Sequence, residues 1–339
     1  MMQAVVYHGP GDLKVETLPD PELGPGEVLL DVSAAGICGT DRHIVAGELD
    51  VAPGTVPGHE IAGRVIAVTD GVEGVEVGDR VLSYGQVICG ECGPCLDGNE
   101  HRCRRPQVMG MTRQGGFAEN IAVPHDILVP VPDAVTDEIA AIVPDAIATP
   151  YHALVTVGRI AEGETVVIVG AGGLGLQAIV VARMGGAGRI VAVDPSTDAR
   201  AAALTVGADA VLDPSADEKP AKALYGLTGG ASLALECVGR AESVELGMQS
   251  LSSGGRLVIV GIGHDRPRLP PLIRFVAGET SIHGSFGSTI PEIRTVLDLI
   301  ATGKLDVTHA ISQRVDLDEV PAVFEQPATP GRTVIVPRS

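Results

Sequence analysis

Cys89, Cys92, Cys95 and Cys103 lie within CGECGPCLDGNEHRC, in a chain with only two other cysteines, Cys38 and Cys237. Thiols so closely set serve disulfides, dithiol redox chemistry or a metal, and in a reducing compartment a metal is the better explanation. The spacing C-x2-C-x2-C-x7-C, loosened by Gly90, Gly93, Pro94 and Gly98, lets successive turns aim four sulfurs at one point. That suits tetrahedral zinc, with each sulfur about 2.3 Å from the metal. Four thiolates leave no open coordination position, so the cluster reads as a structural staple and the chemistry lies elsewhere. An iron–sulfur cluster also takes four thiolates and is the rival on ligand type. A thioredoxin-like pair would leave two thiols surplus.

A second pair of metal-binding residue types precedes the cluster, in AGICGTDRHIVAGELDVAPGTVPGHEIAGRV. Cys38 and His59 are borderline-soft ligands flanked by glycines, and with a third ligand and an open fourth position they would hold a Lewis acid. Spacing alone also allows the plain reading of a buried cysteine and a loop histidine.

A third set handles phosphate. Gly170, Gly172 and Gly175, with Gly173 and Leu174 between the last two, stand in VVIVGAGGLGLQAIVVARMGG directly after a strand pattern and at the start of a helical one. In that context the glycines permit a tight turn, close approach to a pyrophosphate and close helix packing, and the helix N-terminus offers free N–H groups. Asp194 ends the next strand pattern, where its carboxylate would accept the ribose hydroxyls and repel a 2′-phosphate, so the reading is NAD over NADP. The plain alternative is that Asp194 caps the following helix, with Pro195 at its first position. Arg200 stands near enough in sequence to help neutralise the cofactor, or lies on a solvated helix face.

The elements that must carry these groups follow from composition and periodicity. A chain of 339 residues, rich in Val, Ala, Ile and Leu and without Trp, exceeds the size at which a single core usually keeps growing and has the composition of an α/β protein of two domains. Its formal charge of −19 argues against nucleic acid as a partner. The N-terminus lacks a basic flank with a long apolar core, and no continuous apolar run approaches a membrane span; the expectation is a soluble cytoplasmic protein without membrane partners. Residues 1 to about 145 carry short alternating segments such as GEVLLDVSAAGI, IAGRVIAVT, GDRVLSY and AENIAVP, which predict a small β-rich domain. From about 150, TVVIVG, RIVAVD, AVLD, SLALECVG, RLVIVGI and TSIHGSF alternate with Ala-rich stretches and predict a doubly wound parallel sheet of the Rossmann kind. The tail holds a helical PEIRTVLDLIATG and a final strand RTVIVP.

Taken in order, GICGTD, PGHEIAGRV, the four-cysteine lobe, VPDAIATPYHAL and VVIVGAGGLGLQA resemble the zinc-dependent medium-chain alcohol dehydrogenase family over nearly the whole chain. The resemblance implies a GroES-like β-rich catalytic domain over 1–147 and 286–339, with a structural zinc lobe at about 86–106, and a Rossmann NAD-binding domain over 148–285. It implies two zinc ions per subunit, one structural at the four cysteines and one catalytic at Cys38, His59 and Asp145, with Glu60 able to swing in as an alternative ligand and Asp41 orienting His59. It places Thr40 beside the substrate oxygen, His43 on the proton path to solvent, Thr149 against the nicotinamide and Arg332 at the pyrophosphate, with Tyr84 and Gln86 lining the substrate cleft. Cys237 reads as a small core residue under the nicotinamide pocket. The implied activity is reversible NAD-linked oxidation of primary or secondary alcohols to aldehydes or ketones. Polyol, sugar or threonine dehydrogenase is the alternative, and a zinc-stapled NAD(H)-binding protein without catalysis a remote one. Relatives also imply a homo-oligomer, a tetramer before a dimer, joined through the strand near 280–286.

Overall fold

The computed structural model describes residues 1–216 and 218–338. The chain forms two compact units: Met1–Ala146 with Ser288–Gly303 and Ile311–Ser339, and Ile147–Gly287 with Lys304–Ala310. The resemblance returns the whole tail to the first domain, whereas Lys304–Ala310 belongs to the second unit. Leu305, Val307 and Ala310 in that segment are buried, which gives the crossing stretch an apolar reason to pack there.

In the first unit β1 (Met2–Gly9) and β2 (Asp12–Leu18) form an antiparallel ribbon. The long β3 (Glu27–Ile37) leads into α1 (Gly39–Val45), and the chain returns as β4 (Glu60–Val68) and β5 (Arg80–Ser83). Along β3 the burial alternates until Ala34, after which every residue to Ile37 is covered, as expected of a central strand entering the core. Short β6 (Gln86–Val87) and β7 (Gln107–Val108) pair at the base of the cysteine lobe, which contains α2 (Gly93–Leu96); β8 (Asn120–Pro124) and β9 (Leu128–Pro130) follow.

Thr136 caps α3 (Asp137–Ile142) by accepting the Ile139 N–H. This helix opens a longer helical run, Asp137–Val157, with α4 (Ala148–Tyr151) between π-helical turns at Val143–Ile147 and His152–Val157. By length and apolarity the run is, among the described residues, the one helix long enough to cross a membrane. Asp137, Glu138 and Asp145 interrupt its sequence, and most of it is buried inside the protein as a core helix.

The second unit alternates strand and helix: β10 (Thr165–Val169), α5 (Gly173–Met184), β11 (Arg189–Val193), α6 (Thr197–Thr205), β12 (Ala210–Leu212), α7 (Pro220–Thr228), β13 (Ala231–Glu236), α8 (Ala241–Ser250), β14 (Leu251–Ile259), α9 (Leu272–Ala277) and β15 (Ser281–Gly284). All six strands are parallel, in the order β12-β11-β10-β13-β14-β15. Val166, Val167, Ile168, Ile190, Val191 and Ala192 are fully buried, because helices cover both faces of the central strands. The strand order reverses between β10 and β13, the switch point where such sheets bind ligands at their carboxyl ends.

The tail supplies α10 (Ile290–Ala301), β16 (Ile311–Val315), α11 (Val320–Phe324) and β17 (Arg332–Ile335). The first unit's main sheet runs β16-β17-β3-β4-β5-β9, with β8 also on β3. Pairing of Thr333 with Ile37 and of Gly36 with Glu60 brings the ends of β17, β3 and β4 together.

Candidate active site

That strand convergence builds a centre in the first unit. Cys38 follows β3 directly at the N-cap of α1, where its N–H donates to Asp41 Oδ2 at 2.8 Å. His59 immediately precedes β4. Asp145 projects from the π-helical turn Val143–Ile147, a local widening of the helix of the kind that recurs at functional sites. Cys38 Sγ lies 3.0 Å from Asp145 Oδ2, and His59 Nε2 lies 3.9 Å from the same oxygen. One sulfur, one nitrogen and one oxygen thus fall within 4.8 Å of one another, a donor set for a zinc ion that keeps a fourth position open.

The electrostatics favour a cation there. Burial would push the Asp145 carboxyl up, but hydrogen bonds from His59 and the charge of Arg332 outweigh it and hold the group far below the usual carboxylate range. Burial would push His59 down, yet the Asp41 charge and the bond to Asp145 raise it well above its ordinary value. Asp41 Oδ1 and His59 Nδ1 are buried without hydrogen-bond partners and face each other at 3.7 Å. A metal on Nε2 would leave Nδ1–H to face that carboxylate, the arrangement by which an outer carboxylate orients a metal-binding histidine.

In the cysteine lobe, Cys89 and Cys95 sulfurs are 4.0 Å apart, Cys92 and Cys95 3.4 Å, and Cys89 and Cys103 3.5 Å. A tetrahedron with metal–sulfur bonds of about 2.3 Å has edges of about 3.8 Å. The sulfur spacing therefore fits a single ion, whereas a polynuclear iron–sulfur cluster would spread them over several metals. Backbone N–H groups of Glu91 and Cys92 pull the Cys89 thiol down to about 6, which favours the thiolate a metal needs. Glu100, buried in the same lobe, accepts the N–H of Ile290 at 2.7 Å and so ties the lobe to the start of α10.

The dinucleotide loop lies in the second unit, between β10 and α5. Gly170 has φ +93°, and a Cβ there would strike Val238; a Cβ on Gly175 would meet the Gly170 carbonyl at 1.8 Å. Gly172 opens onto free space, and α5 has no side-chain cap, so its first N–H groups are available to an anion. Asp194 holds the loop: its carboxylate accepts the N–H of Ala171 and of Ser196, each at 2.8 Å. The cap of α6 is Ser196, whose hydroxyl accepts the Ala199 N–H, which removes the capping role for Asp194. Each Asp194 oxygen keeps acceptor capacity for a ribose hydroxyl.

Two family models match the chain, the alcohol dehydrogenase GroES-like domain over residues 24–133 and zinc-binding dehydrogenase over 173–302. The chain belongs to the zinc-dependent medium-chain dehydrogenase family. It is 34% identical to an alcohol dehydrogenase of Geobacillus stearothermophilus over 330 residues, 96% of this chain and 95% of the relative. An L-threonine 3-dehydrogenase of Rhizobium rhizogenes is 31% identical over 332 residues, with the same coverage. A crystal structure of a putative zinc-binding dehydrogenase of Sinorhizobium meliloti bound to NADP is similar with a TM-score of 0.91, 32% identity and 99% coverage of each chain. The two metal-ligating clusters and the glycine loop are consistent with the structural zinc, catalytic zinc and nicotinamide dinucleotide of such dehydrogenases.

The other residues that the resemblance singles out have well-defined partners. Arg332, expected at the pyrophosphate, is buried in the first unit. Its Nη2 donates to Glu60 Oε1 and to Asp145 Oδ2, both at 2.6 Å, and its Nε to Glu60 at 3.0 Å. Nε and Nη2 are thus engaged by two carboxylates, one of them in the metal-ligand group. Glu60 is fully buried and paired with Arg332, and it lies outside the group of three ligand atoms; burial lifts its carboxyl to about 8 against the pull of Arg332. A Cβ on Gly36 would sit 1.8 Å from Glu60 Oε2, which explains the glycine two residues before Cys38.

Thr40 Oγ1 lies 3.7 Å from Cys38 Sγ, at the centre. His43 faces outward and pairs with Glu48 at 2.6 Å, and Thr149 is buried on α4 in the second unit. Arg200 donates to the carbonyls of Asp194 and Pro195 and pairs with Asp213, so it does not lie on a solvated face. Tyr84 is buried and its hydroxyl donates to the Ser288 carbonyl at 2.6 Å. Cys237 follows β13 beside Gly170, and burial pushes its thiol up.

Proposed function

We propose that the chain catalyses reversible NAD-linked oxidation of a primary or secondary alcohol to the aldehyde or ketone. The observation that carries this reading is the convergence of Cys38, His59 and Asp145 on one point. When bound, zinc supplies a Lewis acid for the substrate oxygen and the nicotinamide supplies the hydride acceptor. Cys38, His59 and Asp145 would hold the metal, and Asp41 would orient the His59 ring. The Thr40 hydroxyl would take up the substrate proton while releasing its own, and His43, half-exposed and paired with Glu48, is the group on the solvent side that would carry a proton out. Thr149 would lie against the nicotinamide.

NAD is favoured over NADP because a 2′-phosphate would meet the Asp194 carboxylate, while the nearby Arg200 is already engaged by carbonyls and Asp213. The second reading, a 3-hydroxy amino acid as substrate, rests on the likeness to L-threonine 3-dehydrogenases. Formation of reduced nicotinamide, followed by absorbance with NAD or NADP against simple alcohols, polyols and L-threonine, separates these readings. Turnover that survives complete metal removal would overturn both.

The active form is a homo-oligomer, a tetramer before a dimer. Supporting this are the exposed Leu269, Leu272, Ile273, Val276 and Phe286 around β15, the last strand of its sheet, whose outer edge pairs with no other strand among the described residues.

A further inference from the structure

Glu236, the last residue of β13, is fully buried, and its side chain turns back on the loop that follows the strand. Oε1 accepts the N–H groups of Val238 and Gly239, each at 2.8 Å, and lies 2.7 Å from the Ser243 hydroxyl on α8. Oε2 is buried and has no hydrogen-bond partner among the described residues. Burying a carboxyl group is costly, and here the donors that offset the cost belong to the loop and to the first turn of α8. The side chain thus acts as a clasp on residues 237–240.

The backbone around it joins two further strand ends. The Glu236 carbonyl accepts the N–H of Val260 at 2.9 Å and of Gly261 at 3.2 Å, just after β14, and the Cys237 N–H donates to the Val169 carbonyl of β10 at 2.8 Å. The loops after β13 and β14 then meet backbone to backbone: a Cβ on Gly261 would lie 2.1 Å from the Gly239 nitrogen, and one on Gly263 2.0 Å from the Gly239 carbonyl oxygen. Val238 stands against the dinucleotide loop, its Cγ2 2.6 Å from where a Cβ on Gly170 would be. Val238 and Ile262 are nonetheless exposed, at the carboxyl ends of β13 and β14. A dinucleotide across the switch point has its adenosine half over β11, where Asp194 faces the ribose, and its other half over β13 and β14.

We propose that Glu236 is a positioning residue for the nicotinamide half of the cofactor: through Oε1 it holds Val238 and Gly239 beside Gly170, in the shape that the nicotinamide end of the dinucleotide rests on. The glycine loop and Asp194 serve the pyrophosphate and the adenosine half without it. Once the acceptor is removed, the two N–H groups must find other partners, and the loop has to move to give them water. The inference rests on the nicotinamide dinucleotide of the family and not on which alcohol is oxidised.

The probes are NADH and ADP-ribose, which lacks only the nicotinamide, each titrated by calorimetry into the full chain. Glu236→Leu, close in size but without an acceptor, should lower the ratio of NADH to ADP-ribose affinity about tenfold or more, with ADP-ribose affinity unchanged. Glu236→Gln keeps one acceptor oxygen for the loop and should retain most of the ratio. Ser243→Ala takes the hydroxyl from Oε1 without altering the strand, should lower the ratio about threefold, and decides the matter if Glu236→Leu unfolds. An unchanged ratio in Glu236→Leu, an equal loss of both ligands, a loss in Glu236→Gln as large as in Glu236→Leu, or an unchanged ratio in Ser243→Ala where Glu236→Leu unfolds would each overturn the proposal. A parent chain that binds neither probe would instead overturn the cofactor assignment, and the proposal with it.

Discussion

Arg332 donates to Asp145 across 187 residues of sequence, Nη2 to Oδ2 at 2.6 Å, and so restrains the carboxylate that closes the candidate metal site. The same guanidinium is the partner of the fully buried Glu60. Arg332→Ala would leave Glu60 buried without its partner, and the carboxyl, already raised by burial, would take up a proton to avoid an uncompensated charge. The expected outcome is a lower unfolding midpoint and a metal content that falls from two ions per chain towards one, because the cysteine lobe is untouched. Arg332→Lys should fall between, since a point charge cannot bridge two carboxylates as a planar fork does. Full metal content in Arg332→Ala, measured by atomic emission, would show that the restraint is dispensable.

Asp194 joins two functions: its carboxylate fastens the glycine loop through Ala171 and faces the expected ribose position. Asp194→Asn keeps an acceptor and removes the charge. The ratio of NAD to NADP affinity, read by titrating nicotinamide fluorescence, should fall about tenfold or more, as expected for losing a charged hydrogen bond and its repulsion of phosphate. If the ratio stays put, Asp194 is a loop fastener alone.

Much of this architecture is legible because it is local. The strands at 165–169, 189–193 and 231–236 show as apolar runs, and the glycine spacing and cysteine cluster each fit within a few turns. The ion pair of Arg332 with Glu60 is not legible in that way. It spans 272 positions and exists because β17 lies antiparallel on β3 and β3 on β4, a register that periodicity does not reveal. Asp145 was reachable only through the family resemblance, since a π-helical turn carries no composition of its own. Gly36 makes room for Glu60, but a glycine within a strand pattern does not say what it makes room for. The Tyr84 hydroxyl is a similar case: its partner Ser288 belongs to the tail, 204 positions away.

The structural cluster makes a different prediction from the catalytic one. Cys95→Ser should remove one ion per chain and loosen the lobe, and through Glu100 and Ile290 it should release the first turn of α10. Increased cleavage within residues 89–103 under limited proteolysis is the expected sign, with the metal at Cys38, His59 and Asp145 retained. Simultaneous loss of both ions would mean that the two sites fold as one unit.

Ile273, 76% exposed on α9 beside the sheet edge, tests the proposed assembly. A charge there costs little in an isolated chain and much in an apolar interface. Ile273→Glu should shift the sedimentation coefficient to that of a smaller species without lowering the unfolding midpoint of the separated chain. A parent chain that already sediments as a monomer would remove the oligomer from the proposal.

Acid stability should depend on Glu164. Burial alone would push its carboxyl up, but Arg256, with Nη1 and Nη2 donating to its two oxygens at 2.8 and 2.7 Å, and the Ala161 N–H hold it below its ordinary value of 4.5. A group depressed in the folded state binds its proton more readily once unfolded. Its contribution is therefore complete above about pH 4.5 and disappears as pH falls through the lower folded value. Glu164→Gln should be less stable than the parent at neutral pH, where Arg256 lacks its carboxylate, and the difference should narrow as the medium is acidified below that point. Denaturant unfolding of the two chains across this range reads the sign directly: a gap that widens on acidification would mean that the carboxylate is not the favoured form in the fold.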